Sequence, residues 1–428
     1  MSSSDDQEQR KRLLALFHSA FEAVSAEKAM PRQLPFSPHG RTRVIAVGKA
    51  AAAMMRVALE RIDRPVDGLV VTRYGHLEAG RHLPAHIEVI EAGHPVPDEK
   101  SVEAALRALA LAQELDAQDH LLVLLSGGGS ALLAAPVDGI TLADKQTVTR
   151  ALLTCGATIA EINCVRKHLS RVKGGRLAAA AGPARVTTMI ISDVPGDDPS
   201  FVSSGPTVPD TTTLDMAREI VARYGIDVSD GVRRALADPR NETPPVDTLG
   251  LAGSETQIIA RARDALMAAT ALAERMGYDV TNLGDHLQSE ARHLGAGHAA
   301  LARRLASAGK ARAILSGGET TVAVANKAGR GGRNLEYLLG LAIALDGAPG
   351  ICALACDTDG LDGTEDNAGA VILPDTLARA RALGLDPDTH LRRNTTYLFF
   401  EALGDLVITG PTLTNVNDFR VILIDGNG

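Results

Sequence analysis

HLLVLLSGGGSALL, residues His120 to Leu133, sets an aliphatic run against a loop of Ser126, Gly127, Gly128, Gly129 and Ser130. A continuous aliphatic run reads as a buried parallel strand, and the C-terminal ends of such strands face the crevice where α/β proteins bind ligands. Glycines there let backbone N–H groups approach anionic oxygens, and a following helix adds its positive end. The pattern recurs as AILSGGET, Ala313 to Thr320. Two strand-to-glycine loops far apart in sequence imply two lobes facing one polyanionic ligand.

The chain has 428 residues, which favours two domains over one core. Hydrophobic residues make up 45% and aromatics only 3%, with no Trp. That composition suits helices packed on parallel strands and is poor for stacking bases. A formal net charge of −8 argues against nucleic acid and anionic membranes as partners, so an anionic ligand needs a local basic site. The polar start MSSSDDQEQRKR is no secretory signal, and the apolar runs are too short or too interrupted to span a membrane. Cys155, Cys164, Cys352 and Cys356 match no zinc spacing, and Cys352 and Cys356 read as two buried thiols on one strand face. A reduced, cytoplasmic setting is the expectation. Homo-oligomer formation is left open.

Residues 11 to 27 read as an amphipathic helix. Strands are expected at Val44 to Val47, in GLVVTRYG, in HIEVIEAGH, in LLVLL and in VTTMIIS, alternating with helices. The Pro-Pro run from Asn241 to Gly250 is the best linker, giving domains 1–242 and 248–428. The second half repeats the alternation: a helix over QIIARARDALMAATALAERMG, a strand in YDVTNLG, a helix from Ser289 to Ala308 and a strand in ARAILSGGE.

Several residues have a ligand-binding reading beside an ordinary one. Lys49 lies between a strand and a helix, where a solvated lysine would oppose the helix dipole. Helical spacing puts Arg166, Ser170 and Lys173 on one stripe running to Gly174-Gly175, either a basic face toward a cleft or a solvated one. Asp193, Asp197 and Asp198 follow a strand, as Mg²⁺-holding carboxylates do and as plain turns do. Asp357, Asp359 and Asp362 form a second acidic loop that departs from a calcium-binding hand. Arg330 and Arg333 in GRGGRNLE offer guanidinium groups suited to carboxylate or phosphoryl oxygens. A P-loop, a protein-kinase motif set, GxGxxG and GxSxG are all missing.

Taken together, VGKAAAAM, LLSGGGSALL, INCVRKHLSRVKGGRLA, SDVPGDDPSFVSSGPTVPD, LSGGETTV, GRGGRNLE, DTDGLDGTEDNAGA and ITGPTLTNVNDF resemble the signature blocks of the glycerate 2-kinase family, in that family's order. The resemblance implies a Rossmann-like N-terminal α/β domain, with helices on both faces of a parallel sheet, and a smaller α/β C-terminal MOFRL domain. It implies ATP- and Mg²⁺-dependent phosphorylation of D-glycerate at the 2-hydroxyl in an interdomain cleft. By motif, the family's cleft lysine falls on Lys49 and its MOFRL arginine on Arg333, with Asp193 as base or metal ligand. ATP phosphates are assigned to Ser126, Gly127, Gly128, Gly129, Ser130 and Lys173, and in the second lobe to Gly317, Gly318 and Glu319. The metal is assigned to Asp193 with Asp357 or Asp359. Leu335 stands in place of a Gln, Cys356 of a Gly ahead of TDG, and Ser203 of an Ala before SGPT. Some members of the family are called hydroxypyruvate reductase, so an NAD(P)H-dependent reductase of hydroxypyruvate or tartronate semialdehyde is the alternative enzyme. A nucleotide-sensing binding protein is the alternative outside catalysis.

Overall fold

The computed structural model describes residues 3–37, 39–77, 82–307 and 309–426. It divides into two compact units, Ala26–Ala260 and Met1–Ser25 with Arg261–Gly428.

The first unit is built on a six-stranded parallel sheet ordered β3-β2-β1-β4-β5-β6. The strands are β1 (Thr42–Val47), β2 (Val66–Arg73), β3 (Ile87–Ala92), β4 (His120–Leu125), β5 (Arg185–Ile191) and β6 (Glu255–Ala260). Every residue of β1 and β4 is buried, as a strand covered on both faces requires. Ile45, Val47, Leu121, Val123 and Leu125 pack with Ala104, Ala105 and Ala108 of the helix Glu99–Gln113 in one cluster. Gly68 of β2 lets Met55, on the helix Ala51–Arg61, approach the sheet. A second, helical cluster joins Leu142–Thr154, Ile159–His168, Leu214–Arg223 and Asp230–Ala237.

Beginning at β1, successive crossovers run outward to β3, then the chain returns to β4 on the other side of β1. The β1/β4 boundary is therefore the point where strand order reverses, where open α/β sheets bind ligands. Both expected ligand-binding segments, Gly48-Lys49 and the Ser126–Ser130 loop, leave the sheet there.

The second unit carries a mixed sheet ordered β11-β10-β9-β12-β8-β7. Its strands are β7 (Asp279–Asn282), β8 (Arg312–Gly318), β9 (Ile351–Asp357), β10 (Gly369–Ile372), β11 (Leu406–Val407) and β12 (Asp418–Ile424). The last strand, β12, inserts antiparallel between β8 and β9, and only β7 and β8 pair in parallel.

Three expectations change. Glu255–Ala260 is the sixth strand of the first sheet, so the helix expected from Gln257 begins at Ala262. The Pro-Pro run lies inside the first unit, which extends to Ala260. The N-terminal helix, observed as Ser3–Ala23, belongs to the second unit: Gln9 donates to Asp425 at 2.7 Å, and Phe17 faces Phe419 with ring centroids 6.0 Å apart. The helix expected from Ser289 is Ala291–Ala306, and its expected end at Ala308 lies outside the described residues. All four cysteines are free thiols, with Cys352 and Cys356 buried as expected and Cys155 exposed. Among the described residues no helix is long and apolar enough to cross a membrane.

Candidate functional site

At the β1/β4 boundary the two loops are stitched together through the main chain. Lys49 N–H donates to Gly127 O at 3.0 Å, Ser126 N–H to Val47 O at 2.9 Å, and Ala50 N–H to Ser126 Oγ at 3.0 Å. Gly48, at φ 120°, is required here because a Cβ would stand 2.2 Å from Ser126 Oγ. Lys49 is half-buried at this edge. Asp193 is half-buried just past β5, the strand beside β4. Asp198 takes the turn reading, since its Oδ1 accepts from Ser200 N–H at 2.8 Å.

Gly128 is left-handed at φ 87° and opens a helix of only four residues, Gly129–Leu132. One turn supplies little dipole, so an anion here must rely on loop amides and on charge brought from elsewhere. Lys173 brings it. Its ammonium, buried beneath the loop, donates to Ser130 O at 2.8 Å, Ser130 Oγ at 3.3 Å and Ser203 O at 3.4 Å. Burial, reinforced by the like charges of Lys145 and Arg166, holds Lys173 well below the usual lysine range. Ser203 is a left-handed non-glycine residue, at φ 53°, and its buried hydroxyl has no hydrogen-bond partner among the described residues. It lies against Gly129, where a Cβ would stand 2.1 Å from Ser203 Oγ.

The expected helical stripe of Arg166, Ser170 and Lys173 does not form, because the helix Ile159–His168 ends before Ser170. Ser170 instead bridges to Pro136, which folds the chain back and returns Lys173 to the wall that Arg166 also lines. Much of the surrounding basic run is structural: Lys167 pairs with Asp210 at 3.0 Å, His168 with Glu242 at 3.0 Å, and Arg176 donates to Asn241 O at 2.7 Å. The wall belongs to a pocket of about 360 Å³ beside Gly128 and Ser130. Lys145, unnoticed in the sequence, lines it as well. Its ammonium donates to Leu169 O at 3.0 Å, and burial, with Arg166 and Arg176 adding repulsion, pushes its pKa down to about 7.

In the second unit Arg333 opens the helix Arg333–Leu345. Its Nε donates to Asp418 Oδ1 at 2.8 Å, Nη2 to Asp357 Oδ2 at 2.6 Å and Nη1 to Glu319 Oε1 at 3.1 Å. Burial opposes its charge, but Asp418, Asp357 and Glu319 outweigh burial and raise its pKa. A fork read from sequence as open to a ligand is held by three carboxylates. Asp418 and its neighbour Arg420, joined at 2.6 Å, were missed. Two charges on one face of DFRVILI, an otherwise apolar strand, are the signal that could have found them.

Gly317 and Gly318 lie within β8 and serve close packing. Gly317 N–H donates to Gly284 O at 2.9 Å, Arg420 donates to both glycine carbonyls, and a Cβ on Gly318 would stand 2.4 Å from Leu287 O. The second glycine run is therefore no copy of the first cradle. Asp357 Oδ1 accepts from Asp359 N–H at 3.0 Å, and Asp359 Oδ1 from Leu361 N–H at 2.8 Å, so both buried carboxylates shape their own turn. Asp362 caps the Arg333 helix from outside, accepting from Asn334 N–H at 3.1 Å and Leu335 N–H at 3.0 Å. Among the described residues no three His, Cys, Asp or Glu side chains are grouped to hold a metal ion.

Two family models match the chain: a domain of unknown function, DUF4147, over residues 12–237, and the MOFRL family over residues 312–418. A D-glycerate 2-kinase of Thermotoga maritima is 39% identical over 98% of this chain and 99% of its own length. A crystal structure of glycerate kinase from that organism superposes with a TM-score of 0.87, covering 98% of this chain and 100% of that one. A protein of Agrobacterium vitis that carries hydroxypyruvate reductase as a provisional name is 50% identical over 98% of this chain and 95% of its own. With full-length identity to named glycerate 2-kinases and the same fold, the chain belongs to the glycerate 2-kinase family.

Proposed function

We propose that this protein is an ATP-dependent glycerate 2-kinase, transferring a phosphoryl group to the 2-hydroxyl of D-glycerate. The observation that carries the reading is the glycine cradle at the β1/β4 boundary, with Lys173 beneath it and Lys49 bonded into it through its amide. Phosphoryl transfer needs positioning and charge neutralisation more than covalent chemistry, and these are the groups it uses. ATP supplies the phosphoryl group and Mg²⁺ offsets its charge. Nucleotide-bound Mg²⁺ takes one or two protein carboxylates, a chemistry that Asp193, Asp357 and Asp359 offer.

In this reading Ser126 to Ser130 and Lys173 hold phosphate oxygens, and Lys49 steadies the transferred group. Asp193 orients the metal or accepts the hydroxyl proton. Arg333 receives glycerate carboxylate or phosphoryl oxygens by exchanging one of its own carboxylates for the ligand; Glu319, the most exposed of the three, is the one that leaves.

Incubation with D-glycerate, ATP and Mg²⁺ should yield 2-phosphoglycerate. Exclusive formation of the 3-phosphate, or none, overturns the reading. The reductase alternative has the names of similar relatives behind it but no GxGxxG loop, and NADH oxidation with hydroxypyruvate tests it.

A further inference from the structure

Asn394 follows the short helix Pro387–Arg392 in a left-handed conformation, at φ 51°, and is buried. Every hydrogen-bonding position of its amide is used. Oδ1 accepts from Ala325 N–H at 2.9 Å and Asn326 N–H at 3.2 Å, while Nδ2 donates to Ala323 O at 3.2 Å and Glu336 Oε1 at 2.6 Å. Asparagine combines this amide with tolerance of a left-handed backbone. Glu336 is itself buried, one turn after Arg333 in the helix Arg333–Leu345, and its other oxygen accepts from Arg292 Nη2 at 2.9 Å. One side chain thus ties residues 323–326 to the helix that begins with Arg333.

Further bonds fasten the same loop. Asn326 Nδ2 donates to Arg393 O at 3.2 Å, and Tyr397 N–H donates to Arg330 O at 3.1 Å. Gly329 is needed for the close fit, since a Cβ there would stand 2.4 Å from Asn394 O. What the fastened loop carries is Lys327. That lysine is exposed, and among the described residues it has no hydrogen-bonding or charged partner. With Arg333, Glu336 and Asn394 it lines a cavity of about 380 Å³, where Glu336, the cavity's one acidic side chain, is already taken up by Asn394 and Arg292. The two cations of this cavity are held differently. Arg333 takes its orientation from three carboxylates, whereas the long, flexible Lys327 depends on where the loop puts it.

We propose that Lys327 is a second ligand for the carboxylate of the acceptor substrate, and that Asn394 is its positioning residue, latching the loop to the Arg333 helix through Glu336. The proposal rests on the kinase reading for its choice of acceptor, a three-carbon hydroxy acid. It gives the loop a task distinct from that of Arg333: Lys327 binds the acceptor equally in the ground state and the transition state, so its loss falls on KM and not on kcat.

Steady-state kinetics and calorimetry on the full chain test it. Lys327→Met and Asn394→Gly, the latter keeping the left-handed backbone without the amide, should each raise the KM and the Kd for D-glycerate about tenfold. In both variants kcat and the Kd of an ATP analogue should stay within about twofold of wild type. The losses should not add: in the Asn394→Gly background, Lys327→Met should cost less than about twofold more. Asn394→Asp still accepts from the two loop amides but sets a carboxylate against Glu336, so it should bind glycerate as poorly as Asn394→Gly. N394D/E336Q restores a donor between the pair and should recover most of the affinity. A glycerate KM that Asn394→Gly leaves unchanged overturns the proposal, as do additive losses. A lower melting temperature and kcat with normal KM, the result of a purely structural residue, overturns it too. If the wild type binds D-glycerate with this pattern of variants but makes no phosphoglycerate, the latch stands and the kinase reading falls. Phosphoglycerate formation with a KM indifferent to Lys327 and Asn394 gives the reverse, and a wild type that neither binds nor phosphorylates glycerate overturns both.

Discussion

Arg333 and Arg420 share one carboxylate: Asp418 accepts from Arg333 Nε through Oδ1 at 2.8 Å and from Arg420 Nη2 through Oδ2 at 2.6 Å. Arg420 is buried, lies over the Tyr337 ring at 5.4 Å and donates to Gly317 O at 3.0 Å. Tyr337 in turn meets His298 Nδ1 at 2.8 Å. The orientation of Arg333 is thus set from within the sheet by a strand that also carries its partner.

Removing the shared charge should be costly. Asp418→Asn leaves Arg420 buried without its counter-ion, and breaking a buried pair typically costs about 3–5 kcal/mol. Urea unfolding should show that loss, and D418N/R420M should recover much of it by removing both charges. A neutral single variant would mean that the arginines do not depend on Asp418.

Arg333→Lys keeps one positive charge but cannot reach Asp418, Asp357 and Glu319 together. Turnover should fall about 10²-fold with nucleotide affinity nearly unchanged, read by comparing kcat with the Kd of an ATP analogue. A fully active variant would remove Arg333 from the chemistry.

Asp362 has its pKa pushed up to about 6, chiefly by burial, which the Asn334 N–H opposes and Asp418 reinforces. The folded state therefore holds this proton more tightly than the unfolded chain. The resulting stabilisation is complete below about pH 4, the unfolded carboxylate value, and is lost as pH rises through about 6. The stability difference between wild type and Asp362→Asn should shift against the wild type across that window by up to about 2–3 kcal/mol. A difference independent of pH contradicts it.

Lys49→Ala should fold normally and lose about 10²-fold or more in kcat, because a cation acting on the transferred group matters most in the transition state. Stopped-assay measurement of 2-phosphoglycerate gives the number. Near-normal kcat would reduce Lys49 to its backbone role of joining β1 to the cradle.

Asp193→Asn should raise the Mg²⁺ concentration for half-activity, read from a metal titration at saturating ATP. Unchanged metal dependence would shift the role to Asp357 or Asp359.

The parts legible in the sequence are those written in contiguous residues. The aliphatic run of β4, the glycines after it and Lys49 after β1 are local patterns, and their meeting follows from parallel topology. Gln257 to Ala260 was misread because Gln, Ile, Ile and Ala suit a helix as well as a strand, and pairing with β5 decided the matter. Arg333, Asp357 and Glu319 were visible, whereas their pairing and Asp418 were not: Asp418 is 85 positions from Arg333, and only the antiparallel insertion of β12 brings it near. Gly317 and Gly318 are ambiguous in sequence for a related reason. Glycine marks close backbone approach equally for an anion and for a neighbouring loop, and Leu287 occupies the space. Lys145 and Arg150 carry no signal of their own in the helix Leu142–Thr154, and only the fold sets them around a cavity.

The helix Ser3–Ala23 packs in a unit whose remaining residues begin only at Arg261. During synthesis that helix leaves the ribosome well before its partners exist. At about 5–20 residues per second, the intervening Ala26–Ala260 takes roughly 10–50 s to emerge. Its apolar face, with Leu13, Leu16 and Phe17, must wait longer still for Phe419 and its neighbours, which come well after Arg261. The Rossmann-like unit has its whole sheet available first and can fold during the delay. A nascent chain stalled before Arg261 should therefore carry a protease-resistant core with an N-terminal segment that is still cut.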